Sequence, residues 1–466
     1  MGRVESGNGS SPPVPLLHRI LHRSYSSGYL FSYFINRRVT PTGWTVLGLL
    51  VLTAILGADL SKSALYQVFS LLVGLLVVSL LWSMARRARL SARRDLPHQA
   101  TAGEACPYTV KVTNEGWRPV RGFLLSERAP DPRPSLRSFA FIQEPGEEKR
   151  NVFDRVFIYY RWRWLLEHRL LFDGRPCGNH VTVRPGETVR LAMSLTPQRR
   201  GLMRLRDLRV RLPDPFGLFQ RCRKVEAGED TLVVLPKRYR LPALNLPGEA
   251  CYQLGGEAVS NTIGQSGEFL GLRDYRSGDA LRHIHWKGWA KTGRPIVKEF
   301  EDVYFPRYAL ILDNFSEQGD DDLFEESVSV AASFASVVDG RRGMLDLMFI
   351  KDKATVVKAG RGEDRAGELL EVLAAVEAVP EENFDDLESL VRRHADQFAG
   401  CICVFTGWTP ERARFLRNLM AAGLETLALI LCREETRTRA MIEGDPIPCP
   451  HVFLKPPDVQ EALLKL

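Results

Sequence analysis

The sequence predicts a multidomain protein with an N-terminal two-helix membrane hairpin, an antiparallel β-sandwich-like domain and a C-terminal α/β domain. Three observations predict this architecture. Two long apolar stretches lie within the first 85 residues. Short runs of alternating polar and apolar residues follow over residues 95–236 and indicate antiparallel strands. Strands and amphipathic helices then alternate over residues 305–466, which is typical of a doubly wound sheet with helices on both faces.

The composition is that of a folded protein, and it excludes a disordered chain, a collagen-like fibre and a polytopic transporter. The chain has 466 residues, enough for about three domains. Its net charge of +7 is a small excess for this length. The eight cysteines include no C-x-x-C pair, so we predict neither a zinc ribbon nor a disulfide scaffold. Cys401 and Cys403 lie in an apolar run and are predicted to be buried, reduced thiols.

Residues 43–85 are predicted to form two transmembrane helices. The stretch over residues 44–60 is uncharged until Asp59, and residues 65–84 carry no charge. A helix of about 20 residues is roughly 30 Å long, which matches the hydrocarbon core of a bilayer. The short polar turn between the stretches makes them a hairpin, since unpaired backbone is not stable in lipid. Arginines flank both outer ends, so the positive-inside rule places the N- and C-termini in the cytoplasm.

Residues 1–42 are predicted to be a disordered or interfacial cytoplasmic tail. Its first residues are rich in Gly, Ser and Pro, which favours disorder. Residues 16–35 mix Leu, Ile, Phe and Tyr with His and Arg. This mixture fits an amphipathic segment on an anionic membrane surface and fits an irregular tail equally well.

The predicted β-sandwich-like domain covers residues 95–236. Residues 108–113 and 189–195 alternate, and residues 202–212 are predicted to be one long strand. An insertion at residues 130–178 interrupts the pattern with Pro, Arg and aromatic residues, and the pattern does not specify its structure. Interleaved Arg and aromatic side chains can stack on nucleic-acid bases, but we favour an interpretation in which they lie at lipid headgroups.

The C-terminal domain is predicted to cover residues 305–466. Its first strand, residues 308–313, is apolar and ends in the carboxylate of Asp313. Ligands of such sheets bind beyond the carboxyl ends of the strands, which is where Asp313 lies. The other predicted elements are helices over residues 322–338, 365–377, 384–398 and 410–421 and strands over residues 345–350, 401–406 and 427–432.

A charged motif segment, residues 250–304, lies between the two domains. Gly278 and Asp279 form a turn, and Asp279 is placed to cap the short helix that follows. Trp286 and Trp289 are predicted to be buried beneath the charged residues. The residues that define the motif are Arg273, Tyr275, Gly278, Asp279, Arg282, Ile284, Trp286 and Ala290.

These residues closely resemble the signature of the bacterial family known as domain of unknown function fifty-eight. The resemblance implies a C-terminal von Willebrand factor A-like domain fused to a β-domain and anchored in the cytoplasmic membrane of a bacterium. It also implies a MoxR-type AAA+ ATPase as partner, and a transglutaminase-like membrane protein as a further one. The family has no established catalytic activity, and we expect no cofactor.

A-type domains of this kind can hold a divalent metal with the pattern Asp-x-Ser-x-Ser and further oxygen ligands from later loops. In this sequence Asp313 matches, but Phe315 and Glu317 replace the two serines. The loop after the Cys401 strand lacks the expected aspartate. We therefore interpret Asp313 as the remnant of a degenerate metal site and expect it to accept backbone hydrogen bonds.

The leading functional hypothesis is a non-enzymatic, membrane-anchored interaction or scaffold protein. In it, Arg273, Asp279, Arg282 and Trp286 form a structural clamp between the two domains. The adjoining exposed surface would dock the MoxR-type ATPase.

Two other functions remain open at this point. A metal-dependent hydrolase could use the region of Asp279, His283 and His285, because an H-x-H pair can bind zinc from one face of a strand. We favour structural histidines there, and no catalytic motif is recognised. A nucleic-acid-binding membrane protein would use the Arg-rich segments, but we expect no nucleic-acid partner.

Overall fold

The computed structural model describes residues 14–56, 63–86, 88–178, 181–242, 267–276, 279, 281–302, 307–315, 321–338, 344–351, 354–358, 365–379, 384–433, 446–447 and 449–466. The chain divides into two compact units. The first comprises residues 1–237, 317–321 and 370–376, and the second comprises residues 238–316, 322–369 and 377–466. The protein is therefore multidomain, with an N-terminal helical region and many β-sheets, as the sequence predicts.

The first unit begins with three helices, α1 (Leu16–Asn36), α2 (Pro41–Leu56) and α3 (Ser63–Ala85). Among the described residues, one helical stretch is long and apolar enough to cross a membrane by length and composition: Ala64–Ala85, with 22 residues and a mean hydropathy of 2.4. Helix α2 is apolar but has only 16 residues. The polar turn predicted between the two helices lies outside the described residues.

Helix α1 differs from the irregular tail that the sequence left open for residues 16–35. Its Leu21 belongs to a buried cluster with four residues of the insertion, Phe139, Ile158, Trp162 and Leu165. A helix is favoured over irregular chain because packing of its apolar face offsets the entropy lost on ordering. The first 13 residues, for which we expect disorder, lie outside the described residues.

The insertion is helical. Its helices are α4 (Leu136–Phe141), α5 (Val152–Phe157) and α6 (Tyr159–Arg169). Ser135 and Asn151 begin α4 and α5, because their side chains accept hydrogen bonds from backbone N–H groups of the first turn. Arg161 of α6 is buried and donates to the carboxylate of Glu147 at 2.8 Å. Trp162 is buried as well, so part of the Arg–aromatic run belongs to the interior.

In the described residues of the first unit, thirteen short strands form the β-region. They are β1 (Leu90–Asp95), β2 (Gln99–Thr101), β3 (Cys106–Asn114), β4 (Val120–Arg121), β5 (Leu124–Glu127), β6 (Phe172–Gly174), β7 (Thr182–Val183), β8 (Thr188–Pro197), β9 (Gly201–Leu205), β10 (Leu208–Pro213), β11 (Gln220–Lys224), β12 (Glu226–Ala227) and β13 (Asp230–Leu235). The sheets have the orders β12-β1-β3-β8-β6, β11-β10-β5, β2-β13-β9 and β4-β7.

Two features of this region differ from the sequence prediction. The strand predicted over residues 202–212 is two strands, because β9 pairs with β13 whereas β10 pairs with β5 and β11. The region is also not entirely antiparallel. The closing strands β12 and β13 run parallel to the opening strands β1 and β2, respectively.

A buried ion pair lies beside the apolar core of the β-region. Arg94 of β1 donates to both carboxylate oxygens of Glu127, at 2.8 and 3.2 Å, and both side chains are fully buried. Arg94 also donates to Asp230 at 2.8 Å. Burial raises the pKa of Glu127 even though Arg94 opposes this shift.

The turn between β10 and β11, residues 214–219, contacts the apolar helices. The backbone N–H of Thr40 donates to the Leu218 carbonyl at 3.0 Å. The Ser79 hydroxyl of α3 donates to the Asp214 carboxylate. Gly43 of α2 is buried where the Leu218 carbonyl approaches, so a side chain there would collide with backbone. These contacts attach α2 and α3 to the β-region.

The elements after residue 238 begin with a hairpin and continue as a mixed α/β fold. Its strands are β14 (Gly267–Asp274), β15 (Ile296–Asp302), β16 (Arg307–Leu312), β17 (Met344–Ile350), β18 (Ala354–Lys358), β19 (Gly400–Thr406), β20 (Thr426–Leu431) and β21 (His451–Leu454). Its helices are α7 (Trp286–Thr292), α8 (Asp321–Val338), α9 (Arg365–Ala375), α10 (Phe384–Arg393), α11 (Pro410–Ala421) and α12 (Val459–Leu463).

A six-stranded sheet with the order β18-β17-β16-β19-β20-β21 forms the centre of this part. All neighbouring strands are parallel except the antiparallel pair β17 and β18. Strands β16 and β19 are apolar and buried because neighbouring strands and helices surround them. Cys401 and Cys403 of β19 are fully buried free thiols, which confirms the prediction for them. Strands β18 and β21 were not predicted.

Candidate functional site

The motif segment forms a β-hairpin with a structured connection. Strands β14 and β15 are antiparallel, with Arg273 opposite Val297. The backbone N–H of Tyr275 donates to the Pro295 carbonyl at 2.9 Å, which closes the connection at its base. Ile284 and Val297 are buried and form a β-bridge, so they are the apolar centre of the motif. Gly278 and residues 250–266 lie outside the described residues.

Asp279 is held by an arginine and by backbone. The two terminal nitrogens of Arg273 each donate to one carboxylate oxygen of Asp279 at 2.8 Å. The backbone N–H of Arg276 donates to Asp279 Oδ2, also at 2.8 Å. The bidentate bond from Arg273, followed by that N–H, lowers the pKa of Asp279 to about 2. Asp279 is therefore ionised at neutral pH and links the Arg273 side chain of β14 to the backbone of Arg276.

A short 3-10 turn, Leu281–His283, follows Asp279, and α7 comes after it with a cap of its own. His285 Nδ1 accepts a hydrogen bond from the backbone N–H of Gly288 at 3.1 Å, so His285 begins α7. The oxygens of Asp279 accept hydrogen bonds from Arg273 and from the preceding backbone N–H of Arg276.

The residues of the hydrolase hypothesis are not assembled as metal ligands. His285 Nδ1 is occupied by its cap, and His283 Nε2 accepts a hydrogen bond from Arg282 Nε at 3.2 Å. Asp279 is bound by Arg273. Among the residues that the structure describes, no group of three or more His, Cys, Asp or Glu side chains could hold a metal ion.

The tryptophans of the motif lie on the surface. Trp286 is 63% exposed and Trp289 is 36% exposed. Their rings stack, with centroids 5.4 Å apart and planes 19° from parallel. The prediction that they are buried is wrong, because Ile284 and Val297 already fill the small apolar centre. Residues 286 and 289 are three apart on a helix and therefore share one face of α7.

The other motif residues surround this aromatic pair. Tyr275 is half-buried, whereas Arg282 and Ala290 are exposed. Lys287 and Lys291 of α7 are exposed as well and carry positive charge beside the rings. The motif therefore presents two stacked rings and two lysines on one short helix, with the Arg273–Asp279 pair supporting the connection. The predicted clamp between the domains stays a prediction.

Asp313 follows the central strand β16 and is fully buried. Its Oδ1 accepts a hydrogen bond from the backbone N–H of Phe315 at 3.1 Å. Its Oδ2 accepts from the backbone N–H and the hydroxyl of Thr406, both at 3.2 Å. Asp313 thus accepts backbone hydrogen bonds, as predicted.

The charged partner of Asp313 is a residue that the sequence pattern did not predict. Arg412 of α11 donates from Nε to Asp313 Oδ2 at 2.7 Å, and its side chain is only 5% exposed. The guanidinium also lies over the ring of Phe384, 5.7 Å from its centroid. A signal was present in the sequence, because Arg412 is spaced from the buried Phe415 and Leu419 as one face of a helix. A permanent cation therefore neutralises the carboxylate at the end of β16.

No protein-family model matches the chain. The uncharacterized protein YeaD of Bacillus subtilis (strain 168) is 27% identical over 332 residues, which cover 66% of this chain and 79% of YeaD. The CARDB domain of the PF1109 protein from Pyrococcus furiosus matches with 13% identity and a TM-score of 0.16, covering 32% of this chain and 93% of that domain.

A cohesin module of a family 33 glycoside hydrolase from Clostridium perfringens also has a TM-score of 0.16. It is 10% identical and covers 32% of this chain and 98% of the module. At these TM-scores the two structural likenesses carry no argument about fold or function. The chain is thus similar in sequence to an uncharacterized bacterial protein.

Proposed function

We propose that this protein is a non-enzymatic, membrane-anchored interaction or scaffold protein. It presents a von Willebrand factor A-like domain in the cytoplasm and works with a MoxR-type AAA+ ATPase. The observation that carries the proposal is the exposed, stacked pair of Trp286 and Trp289 within the motif. The resemblance of that motif to domain of unknown function fifty-eight supplies the class of partner.

The anchor in this proposal is a hairpin of α2 and α3. The two helices contact each other, and neither contains a charged residue. Arg37 and Arg38 precede α2, and Arg86 follows α3. This distribution supports cytoplasmic termini by the positive-inside rule. Helix α2 is short for a membrane span. A locally thinner bilayer would accommodate it, and the longer α3 would then tilt.

The A-type domain in this proposal is built on the six-stranded sheet. Its mostly parallel order, with Asp313 directly after the central strand β16, supports the assignment. Arg412 donates to the carboxylate that would otherwise ligate a divalent ion, so the side chain supplies the positive charge there. An adhesion-type metal would have to displace a buried guanidinium, and recognition through that metal is therefore disfavoured.

The docking surface in this proposal is the face of α7 that carries Trp286 and Trp289. Tryptophan is enriched among interface residues that carry most of the binding free energy. Two adjacent exposed rings present a larger apolar surface than the scattered exposed residues that are normal on monomers. Lys287 and Lys291 beside the rings favour a partner with acidic residues around an apolar groove.

Direct binding to the ATPase tests this function. The full chain in lipid nanodiscs is titrated with purified MoxR-type ATPase from the same organism. The double variant Trp286→Ser/Trp289→Ser should weaken binding by about 100-fold or more, since truncating a hot-spot residue typically costs about 2 kcal/mol or more. The matched control is Trp117→Ser, because Trp117 is 91% exposed and lies in the β-region. Equal affinity of the double variant, or no binding by the wild type, would refute the proposal.

A further inference from the structure

A pocket of about 270 Å³ lies in the first unit beside helix α1. Tyr29, Tyr33 and Arg37 of the α1 segment line one side. Arg128, which follows β5, and Arg211 of β10 line the other. The remaining lining includes apolar residues of the loops around α6 and β6. The function proposed above does not use this pocket.

Three buried polar atoms at this pocket lack a hydrogen-bond partner among the residues that the structure describes. They are the Tyr33 hydroxyl, Arg37 Nη1 and Arg211 Nε. Leaving a buried donor unsatisfied costs about 1–3 kcal/mol, and more when the donor is charged. Three such groups around one cavity are therefore unfavourable unless something in the cavity accepts their hydrogen bonds.

The arginines of the pocket are close to one another. The guanidinium of Arg37 lies over the ring of Tyr33, 4.3 Å from its centroid, and that of Arg128 lies 4.9 Å from the same centroid. Burial lowers the pKa of Arg37, and the charges of Arg211 and Arg128 lower it further, while Tyr33 and Cys222 oppose the shift. Like charges disfavour one another's charged form, so a negatively charged ligand in the pocket would offset this repulsion.

Acidic residues of the wall are already engaged or face solvent. Glu127 accepts hydrogen bonds from Arg94, and Asp131 accepts them from Arg133. Asp173 is exposed. Arg128 has a partner of its own, since it lies 3.6 Å from Asp207. The pocket therefore keeps positive charge on Arg37 and Arg211.

We propose that this pocket binds a phosphate group, with Arg37, Arg211 and Tyr33 as its hydrogen-bond donors. Guanidinium groups match the spacing of phosphate oxygens, and a hydroxyl can complete the set of donors. The position favours the headgroup of an anionic phospholipid, because Arg37 directly follows α1 and the apolar helix α2 begins at Pro41. A free phosphate is the other source of the same chemistry.

Native mass spectrometry of the detergent-purified full chain tests this site. One arm titrates short-chain phosphatidylglycerol, with phosphatidylcholine of the same chain length for comparison, and the other arm titrates sodium phosphate. One bound phosphatidylglycerol that phosphate does not displace assigns the site to a lipid headgroup. Binding of phosphate alone, or displacement of the lipid by phosphate, assigns it to a soluble phosphate. Either result supports a phosphate site in this pocket if substitutions of its donor residues weaken binding.

Arg37→Ala and Arg211→Ala should each weaken binding of the active probe by about 10- to 100-fold, the usual effect of losing a charged hydrogen-bond donor. The matched control is Arg38→Ala. Arg38 is the next residue in the sequence, its side chain is exposed, and its loss removes the same charge. Tyr33→Phe removes only a hydroxyl, so it tests the pocket even if an arginine variant fails to fold. It should weaken binding severalfold. The proposal is overturned if neither probe binds, if Tyr33→Phe and the arginine variants bind like the wild type, or if Arg38→Ala weakens binding equally.

Discussion

Replacement of Arg412 by alanine should strongly destabilise the sheet around β16. The substitution leaves the carboxyl group of Asp313 fully buried and without its ion-pair partner, which donates at 2.7 Å in the wild type. Removing one member of a buried pair typically costs about 3–5 kcal/mol. At about 1.4 kcal/mol per factor of ten, this cost corresponds to roughly two to three and a half orders of magnitude in the opening equilibrium.

Hydrogen–deuterium exchange of the full chain measures this change in peptides that cover β16 and β19. The matched control is Arg414→Ala on the same helix. Arg414 also pairs with a carboxylate, that of Asp385 at 2.6 Å, but both side chains are more than half exposed. Exposed pairs contribute about 0–1 kcal/mol, so exchange should change by less than about tenfold. Equal, small changes in the two variants would refute the view that Arg412 neutralises the site.

The remaining predictions concern the contact between α2 and the β10–β11 turn, the reactivity of the cysteines and the membrane topology. Gly43→Ala should destabilise the detergent-solubilised chain by about 1–3 kcal/mol in thermal unfolding, because the added carbon collides with the Leu218 backbone. The control is Gly48→Ala on the same helix, where the added carbon meets nothing within 4 Å, and equal melting temperatures of the two variants would contradict the prediction. Burial raises the pKa of Cys403 well above its usual value, so its reactive thiolate is scarce at pH 8. Cys403 should therefore react with a maleimide far more slowly than the half-exposed Cys177, and comparable labelling of the two by peptide mass spectrometry would show that β19 is not buried. Reporter fusions at residue 20 and at the C-terminus should both report the cytoplasm, and a periplasmic C-terminus would exclude the two-span hairpin.

The sequence was most informative where a pattern reflects burial on one face. Apolar runs and helical spacing predicted β16, β19 and α11 to within one or two residues, because these elements are buried by their immediate neighbours. The alternation of the β-region predicted strands but not their partners. The split of residues 202–212 into β9 and β10 depends on pairing with distant strands, which local pattern does not encode.

The candidate site was harder to predict because its residues are positioned by tertiary contacts. The Arg273–Asp279 pair was foreseeable from alternating charge, but the bidentate geometry depends on the hairpin. The exposure of Trp286 could not be predicted, since tryptophan is usually buried and the size of the local core is set by Ile284 and Val297. The role of Arg412 was not predicted, because a charged residue in a helix is usually a surface residue.

Site-specific photocrosslinking in living cells tests the central claim most directly. A benzoylphenylalanine at position 286 of the full chain, with one at position 117 as control, reports which protein touches each exposed tryptophan site. Both positions are solvent-exposed in the structure, so the probe is accessible at each. We predict a crosslink from position 286 to a MoxR-type ATPase and none from position 117. Absence of an ATPase crosslink at position 286, or equal ATPase crosslinking at position 117, would contradict the account.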